Sequence, residues 1–437
     1  MKKISILIIA YDWPPRNSIA SHRPYAWAKS WSRAGAKVTV LTAKKCAFDE
    51  PLDLNLPALP DVHVVEVPYF LDLSRDDSDN RGGISILARW AKGLVIAGLK
   101  KFKGPIMRLI DLDLDIRDGW ARKAGLISSA LVKEKGVDLV VSTYGPRGCH
   151  VIASEIKKYN PKIRWVADYR DLWSQNHLSN MTSRQKIRER DFERRTMKEA
   201  NLVTTVSAPL AESLCALLGK DVEVVYNGYD LSLDEVKLNL SKKRASIVGR
   251  SIKIVYTGII YPGRRDPGPL FSAINDLLKK NEIPHGRVEV HFYGARQPEL
   301  GKIIESYAAN SYVHVHGHVT RDVALQAQKS ADLLLLLESG SADAKGVLTG
   351  KIFEYVASGT PILSVGSEKD SAIGQLIDSC GVGVVCGSDF EAIRSVIISI
   401  ASTDDICFFK PNINTIKKFS RSLQSDDFLE RIELLLN

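Results

Sequence analysis

The sequence predicts an α/β protein of two doubly wound domains in tandem, and three observations carry that prediction. Strand-like runs alternate with helix-like runs over most of the 437 residues. The strand-like runs are nearly unbroken Val, Ile and Leu, as in parallel strands covered on both faces. The series also breaks once, after Asp230, and then starts afresh. A chain of this length exceeds one ordinary core, so two or three domains are expected.

In chain order, the first series reads "ISILIIA", "KVTVLTA", "VHVVEVP", "DLVVST", "IRWVADY", "NLVTTVS" and "VEVVYNG". Segments of helical period lie between, such as "RPYAWAKSWSRAG", opening at about Pro24, and "CHVIASEIKKYN". These make an N-terminal domain over 1–230, with a basic amphipathic insertion at about 83–110. "LSLDEVKLNLSKKRASIVGRS" is rich in charge and Ser and lacks a sustained apolar period, which predicts a linker over 231–251. The second series is "IKIVYTG", "VEVHFYG", "YVHVHG", "ADLLLLLE", "PILSVG" and "GVGVVC", giving a C-terminal domain over 252–410. A helical tail over 411–437 is expected to pack back on the N-terminal domain. In such a pair the ligand site is expected in the cleft between domains.

Hydrophobic residues make up 45% and charged residues 25%, a foldable, globular composition. The formal charge of +9 favours anionic partners such as nucleotides, phosphates or a membrane surface. No helix-turn-helix, zinc or RNA-recognition signature accompanies it, so nucleic acid is not expected. The six cysteines are scattered without a Cys-x-x-Cys pair, as suits a reducing compartment rather than a disulfide scaffold. "MKKISILIIAYDW" imitates a signal peptide, but its apolar stretch is short and Tyr11-Asp12-Trp13 replaces a small-residue cleavage site. A buried first strand is the better reading. No apolar run reaches the ~20 residues that would span a bilayer.

The stretch "GVLTGKIFEYVASGTPIL" follows the most apolar strand, at the end where open α/β sheets bind ligands. Gly340, Gly346 and Gly350 let backbone approach a ligand, and a helix beginning at Lys351 offers unpaired N–H groups to an anion. Lys351 adds a cation, and Glu354, one turn on, is placed to accept hydrogen bonds from a ribose diol. The bland alternative makes Glu354 a helix-dipole partner and Lys351 a surface charge. After the first strand, "YDWPPRNSIASHRPYAW" places Arg16, Asn17, Ser18 and Ser21 above the sheet in a long loop, without a Gly-x-Gly-x-x-Gly fingerprint. "DLDLD", Asp111 to Asp115, mimics a metal motif. Only Asp118 lies near to complete a shell, so no metal is expected.

Together "ILIIAYDWPPRNSIASHRPYAWAKSWSRAGAKVTVLT", "ADYRDLW", "VVYNGYD", "YTGIIYPGRRDP", "HGHVTRDVALQAQKSADLLLLL" and "GKIFEYVASGTPIL" resemble family-4 glycosyltransferases, with the nearest likeness to bacterial enzymes of surface-polysaccharide assembly. The resemblance implies a GT-B fold of two Rossmann-like domains facing across a cleft, a nucleotide-sugar as co-substrate, and neither metal nor other cofactor. The family's donor signature is Glu, seven residues, Glu. Glu354 matches the second, and the first falls on Gly346, so that acidic contact is absent or supplied elsewhere. Ile259 stands where the family has an Arg for the diphosphate; Arg264 or Arg265 fills the following Lys role, above a tight turn at Tyr256-Thr257-Gly258. Where the family has a His, "RWVADYRDLW" has Asp168, followed by Arg170 and Asp171. These are candidates to orient the acceptor or balance charge at the reacting carbon, or else an Asp–Arg pair tying down a loop. His150 reads as structural.

The activity implied by the resemblance is a retaining transfer from a UDP-sugar to a hydroxyl on a lipid-linked or oligosaccharide acceptor. The alternatives are a nucleotide-sugar epimerase or a catalytically silent scaffold; a dehydrogenase lacks its glycine fingerprint. The 83–110 segment gathers Leu87, Trp90, Ala91, Leu94 and Phe102 opposite Arg89, Lys92, Lys100 and Lys103, with Lys101 straying onto the apolar side and Ile96 onto the basic one. It reads as a helix at a membrane interface with anionic lipids, or as a core helix with a basic face. The first option places the protein in the cytoplasm, on the inner face of the cytoplasmic membrane.

Overall fold

The computed structural model describes residues 3–49, 51–69, 117–176, 179, 181–242, 247, 249–261, 263–294, 297–340, 346–402 and 406–436. The 83–110 insertion and Asp111–Asp115 lie outside the described residues. The chain divides into two compact units. Unit 1 is Met1–Thr205, Ala211–Glu223 and Phe428–Asn437, and unit 2 is Val206–Leu210 and Val224–Asp427.

Every strand expected from the sequence forms. A seven-stranded sheet holds β1 (Ser5–Ile9), β2 (Lys37–Ala43), β3 (Val62–Val67), β4 (Leu139–Thr143), β5 (Arg164–Tyr169), β6 (Leu202–Thr205) and β7 (Val222–Val224) in the order β3-β2-β1-β4-β5-β6-β7. A six-stranded sheet holds β8 (Ile252–Thr257), β9 (Val288–Tyr293), β10 (Val313–Gly317), β11 (Leu333–Leu337), β12 (Ile362–Val365) and β13 (Gly383–Gly387) in the order β10-β9-β8-β11-β12-β13. The central pairings are parallel, with Ile6 opposite Leu139 and Leu333 opposite Ile254. β1 and β11 are buried along their whole length, as unbroken apolar runs require. In each sheet the strand order reverses once, between β1 and β4 and between β8 and β11. Ligands bind beyond the carboxyl ends of the strands at such points.

Two local features differ from expectation, the start of the first helix and the linker. The first helix spans Ile19–Arg33 and takes in Pro24, rather than opening there. Ser18 is its N-cap, so the loop after β1 is shorter than the sequence suggests. The expected linker contains a helix, Leu233–Ser241, begun by a reciprocal capping box between Ser232 and Glu235. Its Val236 is fully buried in the core of unit 2, a single apolar anchor too sparse to show as a helical period. In the tail, the helix Arg421–Leu434 carries Phe428 against Trp27 and Trp31 of unit 1, with ring centroids at 5.4 and 5.8 Å. The two tryptophans stack on each other at 5.7 Å.

Candidate functional site

At the reversal in unit 2, the turn after β8 and the helix Gly350–Ser358 meet through a few side chains. Gly258 has φ of +140°, a conformation that side chains rarely adopt, and a Cβ there would lie 2.7 Å from Lys351 Nζ. The missing side chain is what lets the lysine in. Lys351 Nζ donates to the Tyr256 hydroxyl at 2.9 Å and lies 4.3 Å from the centre of that ring. Burial pushes its pKa down to about 7, helped by the charge of Arg265 and opposed by Glu338 and Glu354. The helix is tied underneath by Tyr355, whose hydroxyl accepts from the Thr257 backbone N–H at 2.9 Å.

Of the two candidate arginines, Arg264 is exposed, whereas Arg265 turns into the cluster. Arg265 pairs with Glu338 at 3.5 Å and donates to the Ile259 carbonyl at 3.3 Å. At position 259, where the resemblance implies an arginine, the chain therefore offers a backbone acceptor for Arg265. Thr349, the N-cap residue of the helix, makes no side-chain cap and donates to Glu338 at 2.9 Å instead. Sequence reasoning misses Glu338 as a site residue; its only signal is an acid at the end of an all-leucine strand. Gly350 opens the helix as expected. Glu354 accepts from Arg321 at 2.9 Å, and Arg321 also reaches Asp230 at 3.4 Å. Arg321 is likewise missed, because nothing local in "VTRDV" points at a residue far along the chain.

Gly346 is more than a lost acid. A Cβ built there would stand 3.0 Å from Pro209 and 3.3 Å from Leu210, and the Gly346 carbonyl accepts from Ser207 at 2.6 Å. The backbone at this point is packed too closely for any side chain to enter without displacement.

Unit 1 treats its candidates differently. Asp168, at the end of β5, is fully buried. It accepts from Arg23 at 2.7 and 3.1 Å, from Thr143 at 2.9 Å and from Thr204 at 2.9 Å. Of the two readings left open, the geometry shows an Asp–Arg pair, with Arg23 rather than Arg170, and the residue ties three strand ends to the first helix. Arg170 lies 3.3 Å from Asp171 and 3.8 Å from Asp12, close against Gly145, and its Nε is buried without a hydrogen-bond partner among the described residues. Arg16 pairs with Asp12 at 2.8 Å and Asp49 at 2.7 Å, while Tyr11 donates to Asp49 at 2.5 Å. Asn17 donates to Asp53 at 2.9 Å, Ser21 donates to the Arg16 carbonyl at 2.8 Å, and Ser18 and Ser21 share a hydrogen bond at 3.2 Å. His150 is buried, 2.8 Å from Ser142, and burial holds it neutral by lowering its pKa to about 3.

Comparison with known proteins agrees with this layout. Residues 106–233 match the sequence model of Glycosyltransferase Family 4. No protein of curated function matches the chain by sequence. Among solved structures, the chain is similar to a sucrose-phosphate synthase from Thermosynechococcus elongatus, with a TM-score of 0.63 at 12% identity over 99% of each chain. It is similar also to WaaG, a glycosyltransferase involved in lipopolysaccharide biosynthesis, with a TM-score of 0.52 at 12% identity over 96% of this chain and 95% of that one. A UDP-N-acetylglucosamine 2-epimerase shares the fold at a TM-score of 0.51 and 13% identity, over 99% of this chain and 96% of the other. At these identities the likeness is one of fold. Among the described residues no helix is long and apolar enough to cross a membrane.

Proposed function

We propose that this family-4-like GT-B glycosyltransferase carries a sugar from a nucleotide donor, a UDP-sugar, to a hydroxyl on a lipid-linked or oligosaccharide acceptor in cell-surface polysaccharide assembly, with retention at the transferred carbon. One observation supports the donor assignment above the rest. Lys351 and Arg265 converge on the Tyr256 turn, beside a helix start whose N-cap residue is engaged elsewhere, at the strand-order reversal of unit 2. A diphosphate set there would meet two cations and the N–H groups of the helix. As the glycosidic bond to the diphosphate breaks, negative charge grows on the leaving oxygen, and fixed cations stabilise that charge more than the ground state. Glu354, oriented by Arg321, would accept from the ribose hydroxyls. Asp168 would act at one remove, holding the β5 end from which Arg170 projects.

Calorimetry with two ligands tests the assignment. Arg265→Ala and Lys351→Ala are each expected to weaken UDP by roughly 10- to 100-fold, the worth of a charge-assisted hydrogen bond, and to leave uridine nearly unchanged. Glu354→Ala should weaken both ligands alike. Equal loss of UDP and uridine in the Arg265 variant would remove the diphosphate from this place. Incubation of wild type with UDP-sugars alone separates the epimerase reading, which requires isomerised sugar without acceptor.

The lipid-linked acceptor carries a second expectation, attachment to the inner face of the cytoplasmic membrane through 83–110. Flotation with anionic liposomes should lift wild type, while a Trp90→Glu, Leu94→Glu variant stays down. Sedimentation of both would return the segment to an ordinary core helix.

A further inference from the structure

Away from this site, the outer strands of unit 2 carry an unusual set of side chains. Glu289 and His291 are alternate residues of β9, and His314 and His316 are alternate residues of β10. Alternate residues share a face, and His314 stands directly opposite His291 in the parallel register. The other face of β9, with Val288, Val290 and Phe292, is packed into the core. Polar side chains are thus fixed on one side by a backbone that the core holds still.

The distances between them are those of a ligand set. Glu289, His291 and His314 each offer one donor atom, and these atoms all lie within 4.8 Å of one another. His291 Nε2 is 3.2 Å from a Glu289 carboxylate oxygen, and His291 Nδ1 is 3.0 Å from His316 Nε2. The His291 ring stacks on His314 at 4.7 Å and on His316 at 5.3 Å. Metal–nitrogen and metal–oxygen bonds of about 2.0–2.2 Å put tetrahedral ligand atoms roughly 3.4 Å apart. The Glu289–His291 edge already has that separation, and the exposed His314 has a ligand atom within 4.8 Å of both.

We propose that Glu289, His291 and His314 bind a divalent transition-metal ion of the zinc or copper class, with His316 as the hydrogen-bond partner that fixes His291. A proton on His291 Nδ1, donated to His316, leaves Nε2 with its lone pair toward Glu289, the arrangement that metal-bound histidines use. Two imidazoles and one carboxylate suit zinc, copper or nickel, whereas magnesium and calcium prefer oxygen alone. Water takes the remaining position. Lys253, the register partner of Glu289 on β8, brings a like charge to the neighbourhood and lowers the affinity. The ion would cross-link the edge strand β10 to β9, and it takes no part in the transfer reaction proposed above.

The test uses the full chain, stripped with EDTA, on a Cys407→Ser background that removes the exposed thiol as a competing ligand. Titration with zinc chloride should show one ion per chain and a rise in melting temperature; magnesium chloride should show neither. His291→Ala and the milder His314→Gln should each lose zinc affinity by more than about tenfold, and His316→Ala by about tenfold. His285→Ala, an exposed histidine elsewhere, should bind as wild type does. Copper-loaded protein should give an electron paramagnetic spectrum with two nitrogen ligands. Absence of zinc binding, or wild-type affinity in the His291 and His314 variants, overturns the proposal. UDP affinity should be untouched in all of these, so the outcome is independent of the donor site.

Discussion

The two sheets share one pattern of strand order, yet the chemistry at their reversal points is opposite in kind. In unit 1 most of the charged groups there, Arg170 apart, are consumed by one another. Asp168 is saturated by donors from Arg23, Thr143 and Thr204, Arg16 is shared between two aspartates, and Tyr11 and Tyr69 close over Asp49. In unit 2 the charged groups are held more loosely: Lys351 donates to a phenol, and Arg265 pairs with Glu338 at 3.5 Å. A saturated network fixes a scaffold, whereas a loosely held lysine and arginine leave donors that an anion could take up. The same topology thus carries two kinds of loop chemistry, decided by a handful of residues.

Asp168 puts that contrast under the greatest load. Replacing it by Ala removes the buried carboxylate that Arg23, Thr143 and Thr204 all donate to, and unfolding in urea should show a loss of about 3–5 kcal/mol. UDP affinity should stay as in wild type; a large loss of UDP affinity with little loss of stability would mean that the network belongs to the site.

A smaller effect is expected at Gly346. Gly346→Glu restores the acid of the family signature but drives a side chain into Pro209 and Leu210, at a cost of about 1–3 kcal/mol. Thermal unfolding reads the cost. If the variant is as stable as wild type and binds donor more tightly, the packing argument for glycine is wrong.

The smallest effect, and the finest, is pH dependence. Lys351 has a pKa of about 7, so in the free protein it is mostly protonated a unit below that value and mostly neutral a unit above it. A bound diphosphate favours the charged form, so binding takes up about one proton at the alkaline end and almost none at the acid end. UDP should therefore bind about tenfold less tightly near pH ~8 than near pH ~6, beyond any change from its own ionisation. Lys351→Arg, charged at both values, supplies that reference. Calorimetry in buffers of different ionisation heat measures the uptake, and identical uptake in the two proteins would show that Lys351 does not titrate.

Legibility in the sequence follows a physical divide. The strands are legible, because burial on both faces leaves unbroken apolar runs such as "DLLLLLE". The place of Lys351 and Glu354 in the first turns of a helix is legible too, because helix geometry ties their positions to the loop before them. Their partners are not. Arg23 reaches Asp168 across 145 residues, and no local pattern encodes a contact of that separation. The helix Leu233–Ser241 escapes a reading that relies on apolar period, although its capping box is spelled out in "SLDE". Asp168 is legible at the end of β5, but its arginine partner is not, since a sequence shows where a carboxylate stands and not who surrounds it.

The stacked tryptophans of the first helix have a consequence in time. Trp27 and Trp31 are made early in synthesis, but Phe428, which packs on both and is itself only 1% exposed, comes after every strand of unit 2. A growing chain can close the second sheet while the first still shows two indoles to water. Unit 1 is therefore the first to be started and the last to be finished. During translation its apolar helix face waits for a segment not yet made, and that interval is when a chaperone would find it.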